Sequence, residues 1–289
     1  MKLKEHYLLM KASLLKAGIE EAGFEAKQLI KRVLGIDDAE LLLNRLELSG
    51  EQQETLSELC RKRCGGYPLQ YLLGEWEFYG LPFLVGEGVL IPRQDTETLC
   101  EWVVSRFSDR QGVKILDLCS GSGCIAVTLE HYLPGSTVWA LEKSKTAARY
   151  CEKNIALNQS SVRLVLDDAL DPAFAETGFD LIVSNPPYLS EEDMGRLQKE
   201  VSFEPREALE AGKDGLAFYR ELTRIWTPRL KAGGILAYEV GIHQKEDVCS
   251  LLEAGGLDGI GTRRDLCGVE RVVYGMKPCE ENKEEIKWQ

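Results

Sequence analysis

Apolar residues in the first part of the chain recur at helical spacing. In Leu3–Lys16, Tyr7 and Met10 share a face with Leu14 and Ala17, and Gly18 stops the run. A second helix carries Phe24, Ala26, Leu29, Ile30 and Val33 and ends at Gly35, a natural left-handed cap. Asp37 caps a short helix through Leu41–Leu43. Ser49, followed three residues later by Gln52, reads as a capping box for a fourth helix over about Glu51–Cys64. These four amphipathic segments predict a small bundle over residues 1–75. Such an appendage either stabilises the chain or holds a partner or substrate, and we assign it substrate binding.

Residues 65–92 break that pattern. Gly66, Pro68, Gly74, Gly80, Pro82, Gly86 and Gly88 separate short apolar runs that carry Trp76, Phe78, Tyr79 and Phe83. Punctuation of this kind favours a hairpin over a helix, so residues 76–92 are read as a hairpin linker. Asp95 then caps a helix with Leu99, Trp102, Val103 and Phe107 on one face. From Val113 onward, apolar runs at 113–118, 137–141, 162–166, 179–184, 234–240 and 270–274 alternate with helical segments at about 123–132, 144–157, 214–230 and 243–254. Near-continuous apolar strands between helices mean a parallel sheet covered on both faces. The expected fold is α/β: a Rossmann-like domain over 93–278, preceded by the helical bundle, with a polar, flexible tail over 279–289.

Charge narrows the function classes. The 289 residues hold 35 basic and 47 acidic groups, a formal net charge of −12. Residues 1–75 are nearly neutral, with 11 basic and 12 acidic groups, whereas 76–289 hold 24 and 35. A broad phosphate-binding surface needs clustered Lys and Arg, so direct nucleic-acid binding is not expected. No run of about 18 apolar residues is present, which argues against a membrane span. The charged start lacks the apolar core of a signal peptide, so a cytoplasmic monomer is expected. Nine cysteines at irregular positions then read as free thiols.

Four places carry candidate chemistry. After the strand ending near Asp117, the loop Cys119-Ser120-Gly121-Ser122-Gly123 leads into a helix. Such loops let a ligand approach bare backbone at a helix N-terminus. By itself the loop reads as a nucleotide-like site or a tight turn. Glu142 ends the next strand, where a carboxylate can accept hydrogen bonds from ribose hydroxyls, or serve as a helix N-terminal charge. Asp168, after the third strand, could accept an exocyclic adenine amine or be an ordinary loop acid. Ser184-Asn185-Pro186-Pro187-Tyr188 follows the fourth strand. Its prolines fix two φ angles and remove two donors, which presents the Asn185 side chain and the Pro186 carbonyl as rigid acceptors beside the Tyr188 ring. Two acceptors and an aromatic face match a planar group bearing an NH2.

Glycine loop, ribose acid and NPPY in this order resemble the S-adenosylmethionine-dependent methyltransferases that act on amino groups of planar substrates. Over residues 1–277 the chain is similar to the peptide chain release factor glutamine N5-methyltransferases. The similarity includes Val89-Leu90-Ile91-Pro92-Arg93 with Asp95-Thr96-Glu97, Phe203-Glu204-Pro205, Glu239-Val240-Gly241 and Asp265-Leu266 with Arg271. The resemblance implies about seven strands with the last antiparallel, and methyl transfer to the glutamine of a Gly-Gly-Gln tripeptide in release factors. It implies a cofactor site of Cys119, Ser120, Gly121, Ser122, Gly123, Glu142, Asp168, Ala169 and Asn185. Asn185, Pro186 and Tyr188 are the implied catalytic residues, with Pro187 joining them against the substrate; no metal is implied. Gln94 stands where the family has Pro, and Cys119 where Gly is common, which asks for an ordinary backbone there. Ala169 replaces an aromatic residue, so adenine must pack on something else.

The remaining candidates fit no site. His6, His131 and His243 match no metal or triad spacing, and Cys60 and Cys64 lack a second pair. Arg61-Lys62-Arg63 suits either a helix C-terminus or an acidic patch on a partner. A DNA or RNA amino-methyltransferase would share NPPY, but the acidic second part opposes it. A nicotinamide-dependent dehydrogenase would leave Asn185–Tyr188 without a role.

Overall fold

The computed structural model describes residues 2–43 and 46–279; the tail expected over 279–289 lies outside them, apart from Cys279. Backbone contacts group the chain into two compact units. One comprises Met1–Trp76, Val85–Glu87 and Leu197–Glu204; the other comprises Glu77–Leu84, Gly88–Arg196 and Pro205–Gln289.

The first unit contains α1 (Leu3–Lys16), α2 (Ala22–Leu34), α3 (Asp38–Leu43), α4 (Gly50–Cys64) and α5 (Leu69–Leu73). Leu3, Met10, Leu14, Ala26, Leu29 and Leu56 form its core. Gly35 takes φ 65° as the C-cap of α2. The Ser49 capping box is present: Gln52 N–H donates to Ser49 Oγ at 3.1 Å, and Ser49 N–H donates to Gln52 Oε1 at 2.9 Å. Two faces differ from the sequence reading. His6, not Tyr7, is the buried ring of α1, and Phe24 is 46% exposed, because Ala22, Ala26 and Leu29 set the inward face of α2. The basic run is divided. Arg63 is buried and clamps Glu25 through Nε at 2.6 Å and a terminal nitrogen at 2.9 Å, and it also pairs with Glu200 at 2.6 Å. Arg61 and Lys62 stay exposed at the end of α4, where cations suit the helix dipole.

The hairpin of β1 (Glu75–Phe78) and β2 (Leu81–Leu84) is present as a two-stranded sheet. It precedes α6 (Gln94–Phe107), whose N-cap is Arg93. Asp95 therefore lies inside the first turn and does not cap it; its carboxylate pairs instead with Arg271 at 2.7 Å. The strands and helices that follow are β3 (Lys114–Leu118), α7 (Cys124–Tyr132), β4 (Thr137–Glu142), α8 (Lys145–Leu157), β5 (Arg163–Leu166), β6 (Phe179–Ser184), α9 (Glu191–Met194), α10 (Ala217–Trp226), β7 (Leu230–Glu239), α11 (Lys245–Ala254), β8 (Asp258–Arg264) and β9 (Glu270–Met276).

Seven strands form one sheet in the order β5-β4-β3-β6-β7-β9-β8. β9 runs antiparallel to both its neighbours, and the pairings from β5 to β7 are parallel. Alternate residues of each strand feed opposite cores, so Ile115 packs with Phe107, Leu129 and Val183, while Leu116 packs with Trp139, Ile182 and Trp226. β8 has no counterpart in the sequence reading. It is an edge strand, DGIGTRR, with two glycines and no apolar alternation. Sheet order reverses between β3 and β6, which makes the crevice at their carboxyl ends the switch point where such sheets bind ligands.

Replacing Arg63 by Met should destabilise the chain by ~3–5 kcal/mol, because Glu25 is left buried and unpaired. Adding Glu25→Leu should restore much of that loss in urea denaturation. Equal stability of R63M and wild type would show that the ion pair is dispensable.

Candidate active site

The first strand of the crevice ends in a tight loop. Cys119 adopts φ 58°, so the ordinary backbone expected there is corrected. Turning sharply out of β3 requires the left-handed region, which a side chain occupies at a cost of ~1–2 kcal/mol. Hydrogen bonds hold the turn: Ser120 N–H donates to Leu141 O at 3.1 Å, and Gly123 N–H donates to Ser120 O at 2.7 Å. Gly123 has φ 79° and caps α7, and a Cβ there would stand 2.6 Å from Cys151 Sγ. Gly121, at φ 55°, has open space where a side chain would be. Asp117 is fully buried, and burial pushes its carboxyl well above the usual range. Its Oδ2 accepts Ala126 N–H at 3.2 Å, while Oδ1 has no partner among the described residues.

Glu142 stands across the loop at the end of β4. Gly121 N–H donates to its Oε2 at 2.7 Å and Ser144 N–H to its Oε1 at 2.6 Å. Burial pushes its carboxyl up, and these amides offset part of the rise. Each oxygen keeps lone-pair capacity for a further donor. Asp168 is less enclosed. Burial works against its charge, but the Lys143 ammonium at 2.6 Å and Leu170 N–H at 2.9 Å outweigh that and hold its carboxyl below the ordinary value.

The NPPY segment leaves β6 next to the glycine loop. Ser184 Oγ donates to Leu118 O at 2.7 Å, which ties the two strand ends together. Asn185 Nδ2 donates to Thr96 Oγ1 at 3.1 Å. The Tyr188 ring packs against the Leu116–Trp226 core, its carbonyl accepts Gln244 Nε2 at 2.9 Å, and its hydroxyl lies beside the Glu239 carboxylate. Burial of Glu239 raises its carboxyl to about 7, with Arg271 and the Thr96 and Tyr188 hydroxyls pulling it back.

One cavity draws most of the expected residues together: Cys119, Ser120, Gly121, Ser122, Glu142, Asp168, Ala169, Asn185 and Pro187 line it. Gly123, Pro186 and Tyr188 do not. Further lining groups, among them Gly88–Arg93, Thr96, Glu207 and Phe218, are not among the residues expected from the sequence. For 88–93 and Thr96 the signal was present, since those residues carry the resemblance before the glycine loop. Glu207 and Phe218 come from segments with no strand-end position to mark them. Besides Ala169, Ile125, Leu141, Leu170 and Phe218 add apolar lining. An acceptor carboxylate, a glycine loop and an apolar wall on one cavity together suit a cationic nucleoside.

Comparison with known proteins agrees with this geometry. The PrmC N-terminal domain family matches residues 9–74, and the methyltransferase small domain family matches residues 94–213. A release factor glutamine methyltransferase of Thermodesulfovibrio yellowstonii is 38% identical over 257 residues, covering 88% of this chain and 92% of its own. One from Geobacter sulfurreducens is 39% identical, covering 91% of this chain and 92% of its own. A methyltransferase crystal structure from Pyrococcus furiosus superposes with a TM-score of 0.52 at 19% identity, over 70% of this chain and 91% of that one, and so shares the fold.

Two outcomes follow from the strain and the buried charge. Gly123→Ala should lower the melting temperature far more than Gly121→Ala, which meets only the φ cost of ~1–2 kcal/mol. Glu239 binds its proton more tightly folded than unfolded, so its ionisation removes stability as pH rises from 4.5 to about 7. Glu239→Gln should therefore gain on wild type over that window by up to ~3 kcal/mol. Parallel melting curves for the two proteins from pH 5 to 8 would refute the linkage.

Proposed function

Because the chain belongs to the release factor glutamine methyltransferases, we propose that its switch-point crevice holds S-adenosylmethionine against the side-chain amide of a release-factor glutamine in a Gly-Gly-Gln tripeptide. The observation that carries this reading is that Asn185 lines the same cavity as the glycine loop and Glu142. Glu142 would accept the ribose hydroxyls, the 119–123 loop would receive the methionine end, and Ala169, Leu170 and Phe218 would flank the adenine. Asp168, paired with Lys143, would accept the adenine amine with its remaining lone pairs. When bound, the cofactor supplies an electrophilic methyl group on a sulfonium.

The chain's own residues must make a poor nucleophile react. An amide nitrogen has its lone pair delocalised into the carbonyl. The Asn185 Oδ1 and the Pro186 carbonyl accept the two N–H bonds of the substrate amide and so orient its nitrogen. Charge that develops on that nitrogen meets two preorganised acceptor dipoles. Orientation of this kind contributes ~7–11 kcal/mol to lowering a barrier. Pro187 keeps the segment rigid, and Tyr188, anchored by Glu239, supports the amide plane from behind. Once methylated, the amide nitrogen is cationic and strongly acidic, so it gives its proton to solvent water and no base is needed earlier.

The bundle over residues 1–75 is the part assigned to gripping the release factor, with residues 76–92 as linker to the catalytic domain. A monomer acting in the cytoplasm fits this reading, and among the described residues no helix is long and apolar enough to cross a membrane. The alternative, amino-methylation of DNA or RNA bases, shares the acceptor pair. The 24 basic against 35 acidic groups of residues 76–289 disfavour it.

Asn185→Ala should bind the methyl donor normally and lose at least a hundredfold in turnover, a drop of about 2.7 kcal/mol in transition-state stabilisation. Incubation with labelled donor should mark purified release factor, and a Gln→Ala change in its tripeptide should remove the label. Label on free DNA or RNA alone would overturn the assignment.

A further inference from the structure

A buried polar cluster lies behind the Asn185 amide, and the mechanism above leaves most of it without a task. Asn185 Nδ2 donates to Thr96 Oγ1 at 3.1 Å. The Thr96 and Tyr188 hydroxyls lie beside the Glu239 carboxylate and favour its charged form. Thr96 is 2% and Glu239 1% exposed, and Glu239 Oε2 has no hydrogen-bond partner among the described residues. The groups that face Glu239 are Asp95, Thr96 and Cys100 from α6, Cys124 from α7, Tyr188 after β6, Tyr219 from α10 and Arg271 from β9. Tyr219 donates to the Glu239 backbone carbonyl at 2.9 Å. Burying a carboxylate this deeply is costly, and a hydroxyl-lined core would be cheaper if packing were its only task.

We propose that Glu239 is a positioning residue that fixes, through the Thr96 hydroxyl, which end of the Asn185 amide faces the substrate. The inference rests on Asn185 being the amide clamp proposed above. The two ends of a side-chain amide are almost the same size, so shape does not choose between them. Hydrogen-bond polarity does. An ionised carboxylate has no proton, so Thr96 must donate its only hydrogen to Glu239. Thr96 Oγ1 then offers lone pairs alone to Asn185, and only Nδ2 can sit against them. Oδ1 is thereby turned to the cavity, where a substrate NH2 requires an acceptor.

Protonation of Glu239 removes that instruction. The carboxyl can then donate to Thr96, whose hydrogen becomes free to bond Asn185 Oδ1. The amide turns over and presents NH2 to the substrate NH2, so the clamp loses an acceptor. The same polarity selects the substrate class: a glutamine side chain is accepted, whereas a glutamate at that position offers an anionic oxygen to an oxygen acceptor and is rejected.

The test uses the full chain, purified release factor and labelled methyl donor, with kcat and KM followed from pH 5.5 to 9. Glu239→Gln and Thr96→Val should each lower kcat by about tenfold or more, with the release-factor KM and the calorimetric donor Kd held within about twofold. Wild type should show an acid limb in kcat near pH 7, set by Glu239, and E239Q should lack it. Thr96→Ser keeps the hydroxyl and should recover most of the rate lost in T96V. The double variant T96V/E239Q should cost little more than the worse single one, since both act through one path. If Asn185→Ala abolishes turnover while T96V and E239Q keep the wild-type kcat and its acid limb, Glu239 has no positioning role and the clamp stands. If N185A turns over at the wild-type rate, the clamp itself fails, and the role of Glu239 fails with it.

Discussion

Leu118 and Ser184 stand opposite each other in parallel register, and the Ser184 hydroxyl bonds across to the Leu118 carbonyl. Everything chemical in the second unit depends on that junction. One strand continues from it into the glycine loop and the other into Asn185-Pro186-Pro187-Tyr188. The two segments are far apart in sequence, yet sheet spacing alone brings them within about 5 Å of each other where they leave the sheet. Because sheet order reverses at this point, no helix crosses over the gap. The crevice is a consequence of topology before it is a matter of side chains.

The side chains then add unfavourable electrostatics to a very apolar surround. Asp117, Glu142 and Glu239 are all buried carboxyls, and burial pushes each of them above the ordinary range. Their compensation is local: backbone amides for Glu142, hydroxyls and Arg271 for Glu239, and a single amide for Asp117. Folds tolerate such groups where activity requires them, and the cost is offset by the two cores on either side of the sheet.

Much of this was legible from residue order. Strand ends are marked by apolar runs, so Glu142, Asp168 and Asn185 could be placed on the crevice by counting. Chemistry that depends on packing was not. Thr96 follows Asp95 in what reads as an ordinary helix start, and nothing local says that it meets Asn185, 89 residues later in the chain. Glu239 reads as the polar end of an apolar strand, and its burial is set by α6 and β9 together. β8 escaped because an edge strand with two glycines has no periodicity to detect. The conformation of Cys119 was misjudged because residue type argued against a positive φ, whereas the sharp exit from β3 demanded it.

The thiols around the glycine loop give the site a chemical temperament of its own. Cys100, Cys119, Cys124 and Cys151 are all pushed upward by burial, Cys124 to about 12. The thiolate is the form that reacts with oxidants and alkylating agents. Burial therefore holds the sulfurs around the glycine loop as thiols, the less nucleophilic form, whereas Cys267 and Cys279 are exposed at the surface. Of nine free sulfhydryls, the ones nearest the loop are those that the fold keeps protonated.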